Sequence, residues 1–284
     1  MKAPPFAYIR AKSLAEVFEL LEIHGDGARL LAGGQSLLAT LNLRLSSPDL
    51  LIDITRIPGL SGIKVGNGKV SIGALTTHAE VERLPEIAGA LPMLALAAPH
   101  IAHVAIRNVG TFGGSIAMAD PAAEWPACCI ALDAEFVIAG KTGSRRVKAR
   151  DFFQALYTTD IKPAEVLTAI EIPVPAREYR STFLELTRRR GDYAIVGVAA
   201  MAKNARGTLS DVRLAYLGAG QIPVLAQTAM AAVEGKRLSP AVIEKAAQAL
   251  ADDLDPSADA YSTAATKMHL ARVITGRALA ALDS

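Results

Sequence analysis

Two glycine-paired loops carry the residues best suited to holding an anion. The first is Ala32-Gly33-Gly34-Gln35-Ser36, followed by Leu37; the second is Gly110-Thr111-Phe112-Gly113-Gly114-Ser115, preceded by Arg107-Asn108. Glycine lets the backbone approach a ligand closely and take positive φ. Successive backbone N–H groups in such a turn form an anion nest, and a following helix start adds its dipole. Ser36, Thr111 and Ser115 add hydroxyl donors. Either loop alone reads as an ordinary tight turn, but the pair reads as a clamp on the two phosphates of one diphosphate. Neither is the Gly-x-Gly-x-x-Gly of nicotinamide dinucleotide sites, and neither ends in the Gly-Lys-Ser/Thr that grips a triphosphate.

Other reactive residues are sparse. No Ser/His/Asp or Cys/His set stands out for nucleophilic catalysis. The two cysteines are neighbours, Cys128 and Cys129, which disfavours a disulfide. Without a Cys-x-x-Cys they read as buried thiols rather than iron–sulfur ligands. His100 and His103 flank Ile101, but no second ligand pair accompanies them, so no metal is expected. His78 falls at a helix start, placed either against a cofactor or at the surface. Asp53 reads as a strand-end residue, and Arg188–Arg190 as a solvated strand end.

The elements that must position these residues can be read along the chain. Ser13 and Glu16 have capping-box spacing before Leu14, Val17, Phe18 and Leu21, with Gly25 as the stop. Strands are expected at 8–10, 29–32 and 50–54, with a short helix over 36–42, a β-α-β pattern. Asn67-Gly68 marks a hairpin between 63–65 and 70–72. Thr77 and Glu80 repeat the capping box, and helical patterns recur between Glu86 and Ile106. A second hairpin joins 136–139 to 146–148, and 166–172 is a strand closed by Pro173 and Pro175. Beyond it come strands at 182–187, 194–202 and 212–218, then helices at 224–233, after Ser239-Pro240, and over 263–282. The expected fold class is α+β. Residues 1–176 form one domain, with subdomains of about 1–57 and 58–176. Residues 177–284 form a second, a three-stranded antiparallel sheet carrying a helix bundle.

At 284 residues, 51% hydrophobic and 20% charged, the chain has ample material for a core, and its net charge of +2 does not call for nucleic acid. The N-terminus lacks a secretory apolar core and no stretch approaches a membrane span, which reads as a cytoplasmic chain.

The segment Ile106-Arg107-Asn108-Val109-Gly110-Thr111-Phe112-Gly113-Gly114-Ser115, continuing through Ala119-Asp120-Pro121-Ala122-Ala123-Glu124-Trp125-Pro126, and the later Arg189-Arg190-Gly191-Asp192-Tyr193-Ala194 resemble the FAD-binding medium subunits of carbon monoxide dehydrogenase and the flavin domain of xanthine dehydrogenase. The resemblance covers essentially the whole chain. It implies the two-subdomain flavin fold of vanillyl-alcohol oxidase-like (PCMH) type, with FAD between the subdomains. Ala32, Gly33, Gly34, Gln35, Ser36 and Leu37, with Gly110, Thr111, Gly113, Gly114 and Ser115, would then hold the diphosphate and its surroundings. Ile101 and Leu167 match apolar contacts, Glu124 an acidic one, and Tyr193 an aromatic beside the isoalloxazine, with His78 as a further candidate. Glu124 also reads as a loop carboxylate capping the next turn, and Tyr193 as a core aromatic.

Two departures stand out. Val109 replaces a longer side chain common in relatives. Phe183-Leu184-Glu185-Leu186 places an acid where many relatives carry a lysine, which would remove positive charge near the flavin and lower its reduction potential.

The resemblance further implies a large molybdopterin subunit that oxidises substrate and a small subunit with [2Fe–2S] clusters, in a dimer of heterotrimers. This chain would accept electrons one at a time and pass them to an external acceptor. The lack of a nucleophilic set suits a protein whose cofactor carries the redox chemistry. Two readings compete with it: a self-sufficient FAD-dependent oxidoreductase on the same fold, and a nucleotide-binding scaffold without redox activity.

Overall fold

The computed structural model describes residues 2–283. Its first unit runs β1 (Ala7–Arg10), α1 (Leu14–His24), β2 (Ala28–Leu31), α2 (Leu37–Asn42) and β3 (Leu50–Asp53). The strands pair in parallel in the order β1-β3-β2, so each return to the sheet needs a crossover. The first glycine loop is the β2–α2 connection. Ser13 caps α1 through the Glu16 N–H, but the Glu16 carboxylate accepts from Lys12, not from Ser13, so the capping box is only half closed. Asp53 ends β3. Burial opposes its ionisation, yet bonds from Thr55, Tyr8 and Arg10 hold its carboxyl far below the usual carboxylate range.

The second unit contains β4 (Ile63–Gly66), β5 (Lys69–Gly73), α3 (His78–Arg83), α4 (Pro85–Ala90), α5 (Pro92–Ala97), α6 (Val104–Arg107), α7 (Phe112–Met118) and α8 (Glu124–Ala131). It continues through β6 (Glu135–Gly140), β7 (Gly143–Lys148), α9 (Ala149–Phe152), β8 (Phe153–Ala155), β9 (Thr158–Thr159) and β10 (Val166–Pro173). Its antiparallel sheet has the order β4-β5-β10-β6-β7. At the β4–β5 turn Asn67 and Gly68 take φ of 54° and 72°, the left-handed pair that a two-residue hairpin of this twist requires. The helical pattern between Glu86 and Ile106 is broken into short helices starting at Pro85 and Pro92 and a single 3₁₀ turn containing Pro99, because proline can begin a helix but not continue one. Helix α8 is a correction to the loop expected around Glu124. All eight of its residues are buried, so it has no polar face and no amphipathic period to read.

The third unit contains β11 (Tyr179–Leu186), β12 (Val196–Ala205), β13 (Thr208–Leu217), β14 (Val224–Leu225), α10 (Gln227–Val233), β15 (Lys236–Arg237), α11 (Pro240–Asp253) and α12 (Ala264–Asp283). The three long antiparallel strands are joined by two short ones, β14 and β15, both on β13. The expected helix 224–233 is therefore shorter. Val224 and Leu225 pair with Tyr216 and Ala215 on the sheet edge, and α10 starts at Gln227, where the Asp253 carboxylate at the end of α11 accepts from the Thr228 and Ala229 N–H groups.

This last sheet separates two cores. Val196, Val198, Ala200 and Ala202 of β12 pack under the helices, whereas Ala199 and Met201 face the core that holds Trp125, Phe112 and α5, the alternation of a strand buried on both faces. Within the helical core the Tyr216 hydroxyl and Thr275 Oγ1, both buried, lie 2.6 Å apart. Thr275→Val should cost about 1–3 kcal/mol in urea unfolding by stranding the phenol, and Tyr216→Phe added to it should cost much less than the sum of the two single changes; strict additivity would contradict the pairing.

Candidate cofactor site

The two glycine loops touch. A Cβ on Gly33 would lie 2.2 Å from the Val109 carbonyl oxygen and 2.8 Å from the Gly110 Cα, closer than any side-chain carbon can sit. Gly34 adds a φ of +68°, a conformation suited to glycine. The loops, 77 positions apart in sequence by subtraction (110 − 33), are thus pressed backbone to backbone.

Their backbone donors are not equally free. In the second loop the Phe112 and Gly113 N–H groups donate to the carbonyls of Thr76 and Ala74 at 2.8 and 2.9 Å. Gly114 donates to Thr111 Oγ1 and Ser115 to the Thr111 carbonyl. Gly113 is glycine because a Cβ would lie 2.5 Å from Ala74 Cβ, an interior contact and not a ligand path. The second loop is sewn to the β5–α3 connection, leaving mainly the hydroxyls of Thr111 and Ser115 to offer. In the first loop Gln35, Ser36 and Leu37 donate no backbone hydrogen bond among the described residues. These are the orphan N–H groups of a helix start, and Gln35 and Ser36 are exposed.

His78 is buried (6% exposed), not on the surface. It follows the complete capping box of Thr77 and Glu80, and its Nδ1 accepts from Trp125 Nε1 at 2.9 Å. Its ring edge lies against Gly110, where a Cβ would be 2.9 Å from Nε2. Burial first, then the Arg107 charge, push the imidazole down to about 4, so it is neutral with its proton on Nε2. Trp125 stacks on Phe112 at 4.7 Å between centroids, tying α8 to the second loop.

Arg107 is a residue that the sequence pattern contained without a role. It is buried and forked onto Glu82, and its Nη1 donates to the carbonyls of Ile101 and Ala102, both at 3.0 Å. Ala102 has a φ of 42°. Arg107 therefore holds the turn presenting Ile101, which is itself 8% exposed.

Glu124 is the first residue of α8 and 8% exposed; burial, and then Asp120, push its carboxyl up to about 7. Tyr193 is 75% exposed, which excludes the core reading. Burial of its hydroxyl end raises its pKa, with Asp120 and Glu124 adding to the shift, so these three groups share one neighbourhood. Leu167 on β10 is buried, one residue before Thr168, whose carbonyl accepts from Ala74. Gly191 is pressed on the Ala102–His103 segment, its Cβ position 2.8 Å from the Ala102 oxygen. Next to it a cavity of about 320 Å³ is lined by Pro99, His100, Glu185, Thr187, Arg190 and Gly191. The Glu185 side chain has 0% exposure.

The exposed start of the first loop thus lies against the second loop, which His78 and Trp125 back from the interior, and Gly191, at the cavity, abuts the turn that Arg107 holds. This arrangement is compatible with an extended dinucleotide. The free backbone donors of the first loop and the exposed Ser36 hydroxyl suit a diphosphate, and a cavity lined by a buried carboxyl without a hydrogen-bond partner suits a polar ring. Among the described residues no group of three or more His, Cys, Asp or Glu could hold a metal ion, and Cys128 and Cys129 are free and buried. No helix is long and apolar enough to cross a membrane.

Comparison with known proteins gives two family matches. Residues 4–175 match the FAD binding domain in molybdopterin dehydrogenase, and 181–282 match the CO dehydrogenase flavoprotein C-terminal domain. The chain is 36% identical to the glyceraldehyde dehydrogenase medium chain of Sulfolobus acidocaldarius, over 98% of each chain. It is 36% identical to the carbon monoxide dehydrogenase medium chain of Hydrogenophaga pseudoflava, over 98% of this chain and 97% of the relative. Among solved structures, carbon monoxide dehydrogenase from the same organism superposes with a TM-score of 0.97 at 38% identity, covering 99% of this chain and 98% of that one. Quinoline 2-oxidoreductase from Pseudomonas putida gives 0.94 at 36% identity, covering 100% and 98%.

The buried imidazole has a pH signature. The unfolded state takes up a proton on His78 near its ordinary value, about 6.5, whereas the folded state refuses it until about 4, so this residue's contribution to stability is lost as pH falls through that window. His78→Gln keeps an acceptor for Trp125 and does not titrate. Between about pH 7 and about pH 4 the native chain should lose roughly 2–3 kcal/mol relative to that variant, followed through the fluorescence of the single tryptophan; a pH-independent difference would contradict the assignment.

Proposed function

The chain belongs to the FAD-binding medium subunits of the molybdenum hydroxylases, and from that membership we propose that it is the electron-transfer subunit of a heteromeric complex. It is an oxidoreductase subunit carrying FAD. The observation that carries the reading is the contact of the two glycine loops at Gly33, Val109 and Gly110, which leaves one continuous seat instead of two separate turns.

In this reading the Gln35, Ser36 and Leu37 N–H groups and the hydroxyls of Ser36, Thr111 and Ser115 hold the diphosphate. Ala32, Gly34 and Gly114 keep the backbone low enough for it to approach. His78, neutral, supports the second loop from below and adds no charge. Ile101 and Leu167 give apolar walls, Glu124 accepts from a hydroxyl or amine of the cofactor, and Tyr193 covers the ring. When bound, FAD supplies one- and two-electron redox chemistry, so the protein's work is binding, orientation and electrostatics.

Electrons would come from [2Fe–2S] clusters in a small subunit, after substrate oxidation at molybdopterin in a large one, and would leave to an external acceptor. A dimer of such heterotrimers in the cytoplasm is the expected assembly. The relatives are named for glyceraldehyde, carbon monoxide, 6-hydroxypseudooxynicotine and caffeine dehydrogenases, yet each aligns with nearly the whole of this chain. That spread supports placing substrate choice in another subunit.

Purified from its host, the protein should carry a flavin absorption spectrum and bring partner chains containing molybdenum and iron. A flavin-loaded chain that oxidises a small molecule alone would overturn the subunit reading. Gly33→Val should weaken FAD retention by driving the loops apart, an overpacking cost of about 1–3 kcal/mol or roughly ten- to hundredfold in affinity. Gly113→Val should lower flavin content together with thermal stability, because it displaces α7 from Ala74. Full flavin content in both variants would contradict the placement.

A further inference from the structure

Glu185 breaks the pattern of its strand. On β11, Leu184 and Leu186 pack into the core under the helices, and Phe183 packs into the opposite core. Alternation turns Glu185 to the Phe183 side, toward the flavin domain. There its side chain has no exposed surface, and neither carboxyl oxygen has a hydrogen-bond partner. A buried carboxyl with both oxygens unmatched is costly. It is also one of the six residues lining the 320 Å³ cavity.

The groups around it do not favour an anion. His100 Nδ1 is 4.0 Å away, but burial and then Arg190 push that imidazole down, so it is not a resident cation. From α8, Glu124 raises the Glu185 carboxyl further and Cys128 presents a buried, protonated thiol. Arg190 lines the cavity but makes no ion pair with Glu185 among the described residues. Burial, then Glu124, push Glu185 up to about 9, above Glu124 itself at about 7.

We propose that Glu185 is a neutral carboxylic acid that binds the imide edge of the flavin ring, its O–H donating to a ring carbonyl and its C=O accepting from the adjacent ring N–H. This rests on the FAD seat given above and names a ligand for it that carries no charge. A carboxylic acid presents one donor and one acceptor side by side, and a cyclic imide presents the complement. Contact with that edge satisfies both orphan oxygens at once, which a phosphate, an acceptor-only group at neutral pH, cannot do. The cavity volume lies in the range of a small-molecule ring site.

The test compares the full-length chain with Glu185→Gln and Glu185→Leu by FAD titration and by melting without FAD. Glutamine keeps a donor beside an acceptor, so Glu185→Gln should bind FAD within about threefold of the native chain. Glu185→Leu should bind about tenfold or more weakly, while its FAD-free form melts no lower than the native chain, since an unmatched polar group has been replaced by an apolar one. At about pH 8 the infrared carbonyl band of a protonated carboxyl should shift when FAD is added and be missing from Glu185→Gln. Native affinity in Glu185→Leu, or a Glu185→Gln spectrum retaining the FAD-sensitive band, overturns the proposal while leaving the FAD seat standing. A native chain that binds no FAD overturns both.

Discussion

The approach of the Gly33 backbone to Val109 and Gly110 is the constraint from which the site follows. At 2.2 Å from a hypothetical Cβ to a carbonyl oxygen, no residue but glycine can stand there without moving a loop. The contact joins the parallel sheet of the first unit to the α6–α7 connection of the second, and so decides where the first helix start points. Its orphan N–H groups are thereby brought to the side of the second loop. Remove the contact and two separate turns remain.

What keeps the second loop in place is a set of interior bonds. Phe112 and Gly113 are tied to the β5–α3 connection, and His78 stands against Gly110 with its other nitrogen bonded to Trp125. Trp125 in turn stacks on Phe112. Arg107 plays the same part for the neighbouring turn, spending its guanidinium on Glu82 and two carbonyls. A buried arginine so paired is satisfied, whereas one lacking Glu82 would be a buried unpaired charge. These residues shape the seat without being exposed in it.

Polar groups cluster where the FAD-binding unit meets the C-terminal sheet. Asp120, Glu124 and Glu185 are all pushed toward their protonated forms, chiefly by burial. Elsewhere carboxylates pair in the ordinary way, as Asp160 and Glu165 do with Arg145. The concentration of unfavourably placed acids along one seam is the kind of local rule-breaking that marks a functional region. The seam exists because β12 is buried on both faces and β11 packs against α5, so that Glu185, on the Phe183 side, lies inside the molecule.

The amino-acid sequence by itself determined the element types wherever a short-range signal exists. Asn67-Gly68 specified a hairpin, Thr77 and Glu80 a helix start, and the two diglycine loops a close backbone approach, because each depends on conformational preferences of a few adjacent residues. It also carried the family likeness through the segment from Ile106 to Pro126. Tertiary structure alone decided the rest. Helix α8 has no polar face to reveal it, Val224 and Leu225 became a strand only because β13 offered an edge, and His78 resists protonation down to about 4 because the fold buries it, beside Arg107. Gly33 and Gly113 look alike in sequence, yet one abuts the other glycine loop and the other abuts Ala74. Which atom a glycine makes room for, and whether a carboxyl keeps its proton, depend on neighbours distant in the chain, and no local pattern encodes them.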